Sequence, residues 1–125
     1  MGIIDISELR NPPEKHELAT AKYFSCLGKN VRFLPKSNVK GVHTPDIRMD
    51  RLEWEMKSPH GKTTECICDN MRDAVKQSCN IIIDLRRMSL PTKKCIDRIG
   101  RELTFRKSIK HLQVITKEGE LLILK

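Results

Sequence analysis

Aromatic residues make up only 4% of this sequence. That argues against a binding surface of stacked rings, the device of many single-strand nucleic-acid binders. Long apolar runs are missing too. No stretch approaches the ~20 residues a membrane helix needs, and Met1–Arg10 lacks the pattern of a secretory signal, so no membrane partner is expected. The cysteines Cys26, Cys66, Cys68, Cys79 and Cys95 are odd in number and contain no CxxC pair. This pattern speaks against a disulfide framework and for a reduced, intracellular working state. A zinc site from His60, Cys66 and Cys68 is disfavoured, because helical positions two apart point to different faces. Repeats, low-complexity stretches and long linkers are also lacking. With 38% apolar and 32% charged residues, the expectation is one compact globular domain spanning residues 1–125.

Acidic residues are outnumbered. Twenty-four Lys and Arg stand against sixteen Asp and Glu, a formal charge of +8. The excess favours a polyanionic partner through phosphate contacts and counterion release, although solubility alone accounts for a basic surface equally simply.

After Pro12-Pro13, residues Glu14 to Leu27 read as a helix with Glu14, Leu18 and Ala21 on one stripe and Gly28 as its stop. Val31–Leu34 reads as a short strand and Lys36–Thr44 as a loop. Asp46–Met49 and Leu52–Lys57 alternate as a hairpin around Asp50-Arg51. From Thr64 to Ser78, Ile67, Met71, Ala74, Val75 and Ser78 recur at helical spacing. Ile81 to Leu85 is an almost unbroken apolar run, as in a strand covered on both faces. Pro91 opens a helix bearing Cys95, Ile96, Ile99 and Leu103. His111–Thr116 and Glu120–Leu124 read as strands about Glu118-Gly119. The predicted order is α-β-β-β-α-β-α-β-β, an α/β mixed sheet flanked by helices.

The chemistry concentrates in the hairpin. If Met49 and Leu52 flank a two-residue turn, Asp46 falls directly opposite Glu55 and Arg48 opposite Glu53, with Lys57 on the same face. Ile47, Met49, Leu52, Trp54 and Met56 form the core-facing set. Two adjacent carboxylates repel unless a cation lies between them. Oxygen ligands suit Mg²⁺ or Mn²⁺, which would acidify a water and offset charge on phosphorus. Lys57 adds a cation to position the water or stabilise the transition state. A solvated face of cross-strand ion pairs would produce the same string. Arg51 sits where such a turn favours glycine, and a three-residue loop would spoil the pairing.

Pro45-Asp46 followed by Glu55-Met56-Lys57 resembles the motif of the PD-(D/E)XK phosphodiesterase superfamily, and the element order is similar to its core across nearly the whole chain. More narrowly, Glu14 to Ala21, Thr44 to Ile47, Glu53 to Lys57 and Gln77 to Arg86 resemble the C-terminal toxin domains of contact-dependent growth inhibition systems. The resemblance implies Mg²⁺- or Mn²⁺-dependent cleavage of tRNA, an acidic residue of the first helix helping to hold the metal, and an immunity partner, expected to be acidic. It also implies action in the cytoplasm of a target cell after delivery as part of a larger protein. Asp46, Glu55, Lys57 and Glu17 are then catalytic, with Asp46, Glu55, Glu17 and Met56 as the metal set. Glu17 is preferred over Glu14 as the helix acid, because Glu14 lies in the first turn, where a carboxylate already serves free backbone N–H groups.

Gln77, His60, Arg86 and Glu14 are candidate substrate contacts, each with an ordinary capping or surface role as its alternative. The basic residues of the C-terminal half favour phosphate as a field rather than singly. Three function classes follow: a tRNA nuclease acting as a toxin or mobile-element effector, a DNA endonuclease on the same scaffold, and a non-catalytic basic nucleic-acid-binding module. Oligomeric state is not legible.

Overall fold

A computed structural model describes residues 1–125. Its elements are β1 (Ile4–Asp5), α1 (Lys15–Cys26), β2 (Val31–Phe33), β3 (Ile47–Met49), β4 (Leu52–Lys57), α2 (Glu65–Ala74), β5 (Asn80–Asp84), α3 (Thr92–Phe105), β6 (His111–Ile115) and β7 (Leu121–Ile123). A 3₁₀ turn at Leu85–Arg87 follows β5. The expected mixed α/β order is recovered, with β1 added at the edge. Its two residues are too short to carry a period and become a strand only by pairing with Val31 and Arg32.

The seven strands form one sheet in sequence order. β1 runs parallel to β2, and β4, β5 and β6 are mutually parallel. The β2–β3, β3–β4 and β6–β7 pairs are antiparallel. The parallel crossovers through α2 and α3 run in the same direction, which sets both helices on one face. Beneath them Ile67, Met71, Cys95 and Ile99 pack on Ile81, Ile83, Leu112 and Val114. On the opposite face Ala21 and Phe24 of α1 pack with Ile47, Met49, Trp54, Met56 and Ile82. All five residues of β5 are buried, as expected for a strand between two helical layers.

Two helices differ from expectation. The buried stripe of α1 is Thr20, Ala21, Phe24 and Ser25, a rotation that leaves Glu14 and Cys26 exposed. Glu14 therefore does not lean toward the sheet as its spacing from Leu18 suggested. The second helix ends at Ala74, because Val75–Gln77 form turns that bring Ser78 to the edge of β4, where its hydroxyl donates to the Glu53 carbonyl at 2.8 Å.

Candidate active site

The hairpin between β3 and β4 is the two-residue form. Asp50 and Arg51 both have positive φ, 53° and 67°, the signature of a turn whose twist matches the flanking strands. Arg51 holds the conformation that glycine would adopt more cheaply. Two contacts fix it: Lys29 Nζ pairs with Asp50 Oδ2 at 2.9 Å, and the Trp54 indole N–H donates to the Met49 carbonyl at 2.9 Å. Met49 faces Leu52, Arg48 faces Glu53 and Ile47 faces Trp54.

That register stops one residue short of the expected pair. The Asp46 N–H donates to the carbonyl of Trp54 at 2.9 Å, the residue already opposite Ile47, so Asp46 does not sit directly across from Glu55. Two residues facing one form a bulge, which bends the strand and re-aims a side chain. On its other side the Asp46 carbonyl accepts the Leu34 N–H at 2.9 Å. The Asp46 carboxylate swings along β4 instead, and Oδ2 accepts the Met56 N–H at 2.8 Å. The side chain thus takes the place of a lost ladder bond.

Glu55 is 5% exposed, and its Oε1 is the one buried side-chain oxygen or nitrogen with no hydrogen-bond partner. Its Oε2 lies 3.4 Å from Lys57 Nζ. Burial first, then the charge of Asp46, push the Glu55 carboxyl up to about 8, against the smaller opposing pull of Lys57 and Lys36. Asp46, Glu55 and Lys57 are therefore brought together, through a bulge rather than direct opposition. The donors are all carboxylate oxygens, one of them with a free lone pair in a buried setting. This set fits a hard divalent cation such as Mg²⁺ or Mn²⁺.

A fourth residue, Lys36, was not legible in the sequence. Its ammonium is bonded to Asp46 Oδ1. Burial pulls the Lys36 pKa down, but the hydrogen bond and charge of Asp46, with smaller help from Glu17 and Glu55, leave it above the ordinary value. Lys36 belongs to an irregular loop ten residues before its partner, and nothing in local spacing separates it from the other loop lysine, Lys40.

The remaining candidates scatter. Glu17 is half-buried. With Glu14 and Lys36 it lines a hollow of about 360 Å³, and its Oε1 accepts the Glu14 N–H at 3.0 Å. It meets the centre through the field at Lys36. Glu14 caps the helix, with its carboxylate 3.4 Å from His16. The Met56 side chain lies in the core and its N–H is taken by Asp46. His60 is exposed beyond the end of β4, and Gln77 lies in the turns after α2, by the opposite end of that strand.

Arg86 is committed elsewhere. Its Nε and Nη2 donate to the two oxygens of Asp84, at 2.9 and 2.7 Å, and Nη2 also reaches the Ala19 carbonyl. Its guanidinium lies 5.3 Å from the centre of the Tyr23 ring. Thr20 donates to the same buried Asp84 at 2.8 Å. Burial raises the Asp84 carboxyl, but the bonds from Arg86 and Thr20 outweigh it and hold the group below its usual value. This cluster bolts α1 to the end of β5, one turn along from Glu17.

The family model described as the contact-dependent growth inhibition CdiA C-terminal domain matches residues 43–121. The chain belongs to that family. The matched span of the CdiA C-terminal domain contains Asp46, Glu55 and Lys57, whereas Glu17 and Lys36 lie before it. No curated protein matches the sequence. Among solved structures, the chain is similar to one from the CdiA-CT/CdiI toxin and immunity complex of Burkholderia pseudomallei. The TM-score is 0.73 and the identity 18%, over 99% of each chain. The mixed α/β fold of this CdiA C-terminal domain is therefore shared with that structure from end to end.

Proposed function

We propose that this CdiA C-terminal domain is a metal-dependent endonuclease of the PD-(D/E)XK type that cleaves tRNA, acting as a toxin effector delivered at the end of a larger protein. The observation carrying this reading is the unpartnered buried oxygen of Glu55 beside Asp46, with the Lys57 ammonium on the same strand face. A buried oxygen left without a hydrogen-bond partner costs about 1–3 kcal/mol, and a bound ion is one of the few things that satisfies it.

Asp46 and Glu55 would hold Mg²⁺ or Mn²⁺, which when bound supplies positive charge to a phosphate oxygen and acidifies a water. The chain's own groups do the rest. The Met56 N–H fixes the rotamer of Asp46, so the carboxylate is positioned before substrate arrives. Lys57, a quarter exposed and anchored on Glu55, can donate to a non-bridging phosphate oxygen as negative charge builds there. Glu17 contributes negative charge from the helix side of the Lys36 hollow. The partners implied are a nucleic acid, drawn by the +8 charge, and an acidic immunity protein. The site of action is the cytoplasm of the recipient cell.

The test is incubation of purified protein with total tRNA and with plasmid DNA, in Mg²⁺ and in EDTA. The expected result is discrete tRNA fragments in Mg²⁺ only. Plasmid nicking with intact tRNA would replace the substrate by DNA. Metal-independent cleavage, or none of either polymer, would overturn the reading.

A further inference from the structure

The helices leave half of one sheet face bare. The cluster beneath α2 and α3 draws its strand residues from β5, β6 and β7 and takes none from β1, β2 or β3. On that face the shorter strands present Asp5, Arg32 and Arg48, which lie in one cross-strand row with Glu53 of β4. Strand alternation puts Glu55 and Lys57 on the same face, Glu55 about 7 Å along β4 from Glu53. The uncovered face thus continues directly into the candidate active site.

The middle of the row is unusual. Arg32 and Arg48 are direct partners across the antiparallel β2–β3 pair, and both are exposed. Directly opposed like charges are unfavourable, and no ion pair holds either arginine, although Asp5 beside Arg32 and Glu53 opposite Arg48 temper the field. The arginine ion pairs of this chain are those of Arg72, Arg86, Arg98 and Arg106; Arg32 and Arg48 make none. The acids at the two ends of the row do not reach them within ion-pair distance. Asp5 instead accepts the Ser7 N–H at 2.8 Å. Arg32 and Arg48 also border a hollow of about 410 Å³ that a third arginine, Arg51, lines from the hairpin turn, where Lys29 has already neutralised Asp50.

From this we infer that the open face of β1–β3 is a phosphate-binding track, with Arg32 and Arg48 gripping the backbone of the nucleic-acid strand whose scissile phosphate lies at Glu55 and Lys57. The inference rests on the nuclease reading. Planar guanidiniums bind phosphate oxygens through paired N–H donors. Two of them side by side on a rigid sheet bind an extended polyanion with little loss of side-chain freedom. Such contacts position the strand without reading its sequence.

The experiment compares the full chain with Arg32→Gln/Arg48→Gln and with Lys15→Gln/Lys22→Gln. The second pair removes equal charge from exposed positions of α1, on the opposite face. Binding of total tRNA is followed by anisotropy against salt in a Glu55→Gln background, and KM and kcat are measured in the active background. The arginine pair should weaken binding about tenfold at 0.1 M salt and flatten the log–log salt dependence by between about 1.4 and 1.8. KM should rise with kcat retained, and the melting temperature should hold or increase as the like-charge pair disappears. Equal losses from both double variants would reduce the effect to bulk charge and overturn the track. So would unchanged tRNA binding, including the case in which the arginine variant escapes only an acidic immunity protein. A parent chain that binds and cleaves no nucleic acid would instead remove the nuclease reading on which the track depends.

Discussion

The backbone N–H of Met56 donates to Oδ2 of Asp46 at 2.8 Å, so the carboxylate proposed for catalysis also completes the β3–β4 ladder at its bulge. Structure and chemistry can be separated at this position. Asp46→Asn keeps an acceptor for the Met56 N–H and should melt within about 1 kcal/mol of the parent, with nuclease activity down at least a hundredfold. Asp46→Ala orphans that buried N–H and should cost a further 1–3 kcal/mol or so. Urea melts and cleavage assays on the two variants check both. Equal stability of the two would remove the ladder role.

Lys36 lies where a cation would have to approach Asp46. Because its side chain is half-exposed, the pair is screened and worth about 1 kcal/mol rather than the buried value. Lys36→Gln should therefore tighten Mn²⁺ binding about fivefold in the absence of substrate, measured by calorimetry. Weaker binding would show that the ammonium does not compete with the metal.

The Glu55 carboxyl is raised from its ordinary 4.5 to about 8, by burial first and then by Asp46. In this window the native state holds a proton that the unfolded state has lost. Metal-free stability is then fully present below about pH 4.5 and falls as pH rises toward 8. Glu55→Gln should flatten that part of the stability–pH profile. Metal binding must expel the same proton, so apparent Mg²⁺ affinity should climb up to about tenfold per pH unit across the window. Calorimetry in buffers of different ionisation enthalpy counts the proton, and no release at pH 7 would contradict the assignment.

Glu17 and Glu14 separate by substitution with glutamine. Glu17→Gln retains the Oε1 acceptor used by the Glu14 N–H but loses the charge. It should raise the Mg²⁺ concentration for half-maximal cleavage several-fold without lowering the melting temperature. Glu14→Gln, on an exposed side chain, should change stability by about 0.5 kcal/mol or less and leave the metal titration in place. The reverse pattern would exchange their roles.

Asp84 is buried and accepts from both Arg86 and Thr20. Arg86→Ala leaves that carboxylate without its cation and should destabilise by about 3 kcal/mol. Because the Asp84 carboxyl is held below its ordinary 3.8, its contribution is present above that pH and fades as pH falls through the depressed value. Arg86→Lys should restore part of the loss, since one ammonium cannot reproduce the forked contact. A fully stable Arg86→Ala chain with impaired tRNA binding would return Arg86 to the substrate contacts.

How far the sequence reaches is clearest at the hairpin. Alternation of apolar and charged residues from Ile47 to Lys57 was enough to assign both strands, their faces and the Met49–Leu52 closure, because side-chain period and turn length are local properties. The same locality made β5, α2 and α3 readable, with only their ends displaced. The proposed site residues Asp46, Glu55 and Lys57 were likewise visible, since all three lie on one continuous segment.

What needed the tertiary structure were contacts whose partners are remote or whose geometry departs from the regular lattice. The bulge at Asp46 depends on its N–H donating to Trp54 on one side while its carbonyl accepts from Leu34 on the other, which alternation does not encode. Lys36 meets Asp46 only because a loop folds back, and Thr20 meets Asp84 only because α1 docks on β5. The pairing of Arg32 with Arg48 required strands separated by a long loop to align. Sequence determined which residues could be strands, helices and acids. The packing of α1 and the register of β2 on β3 decided which charges meet, because Coulomb and hydrogen-bond energies depend on distances that only the folded chain sets.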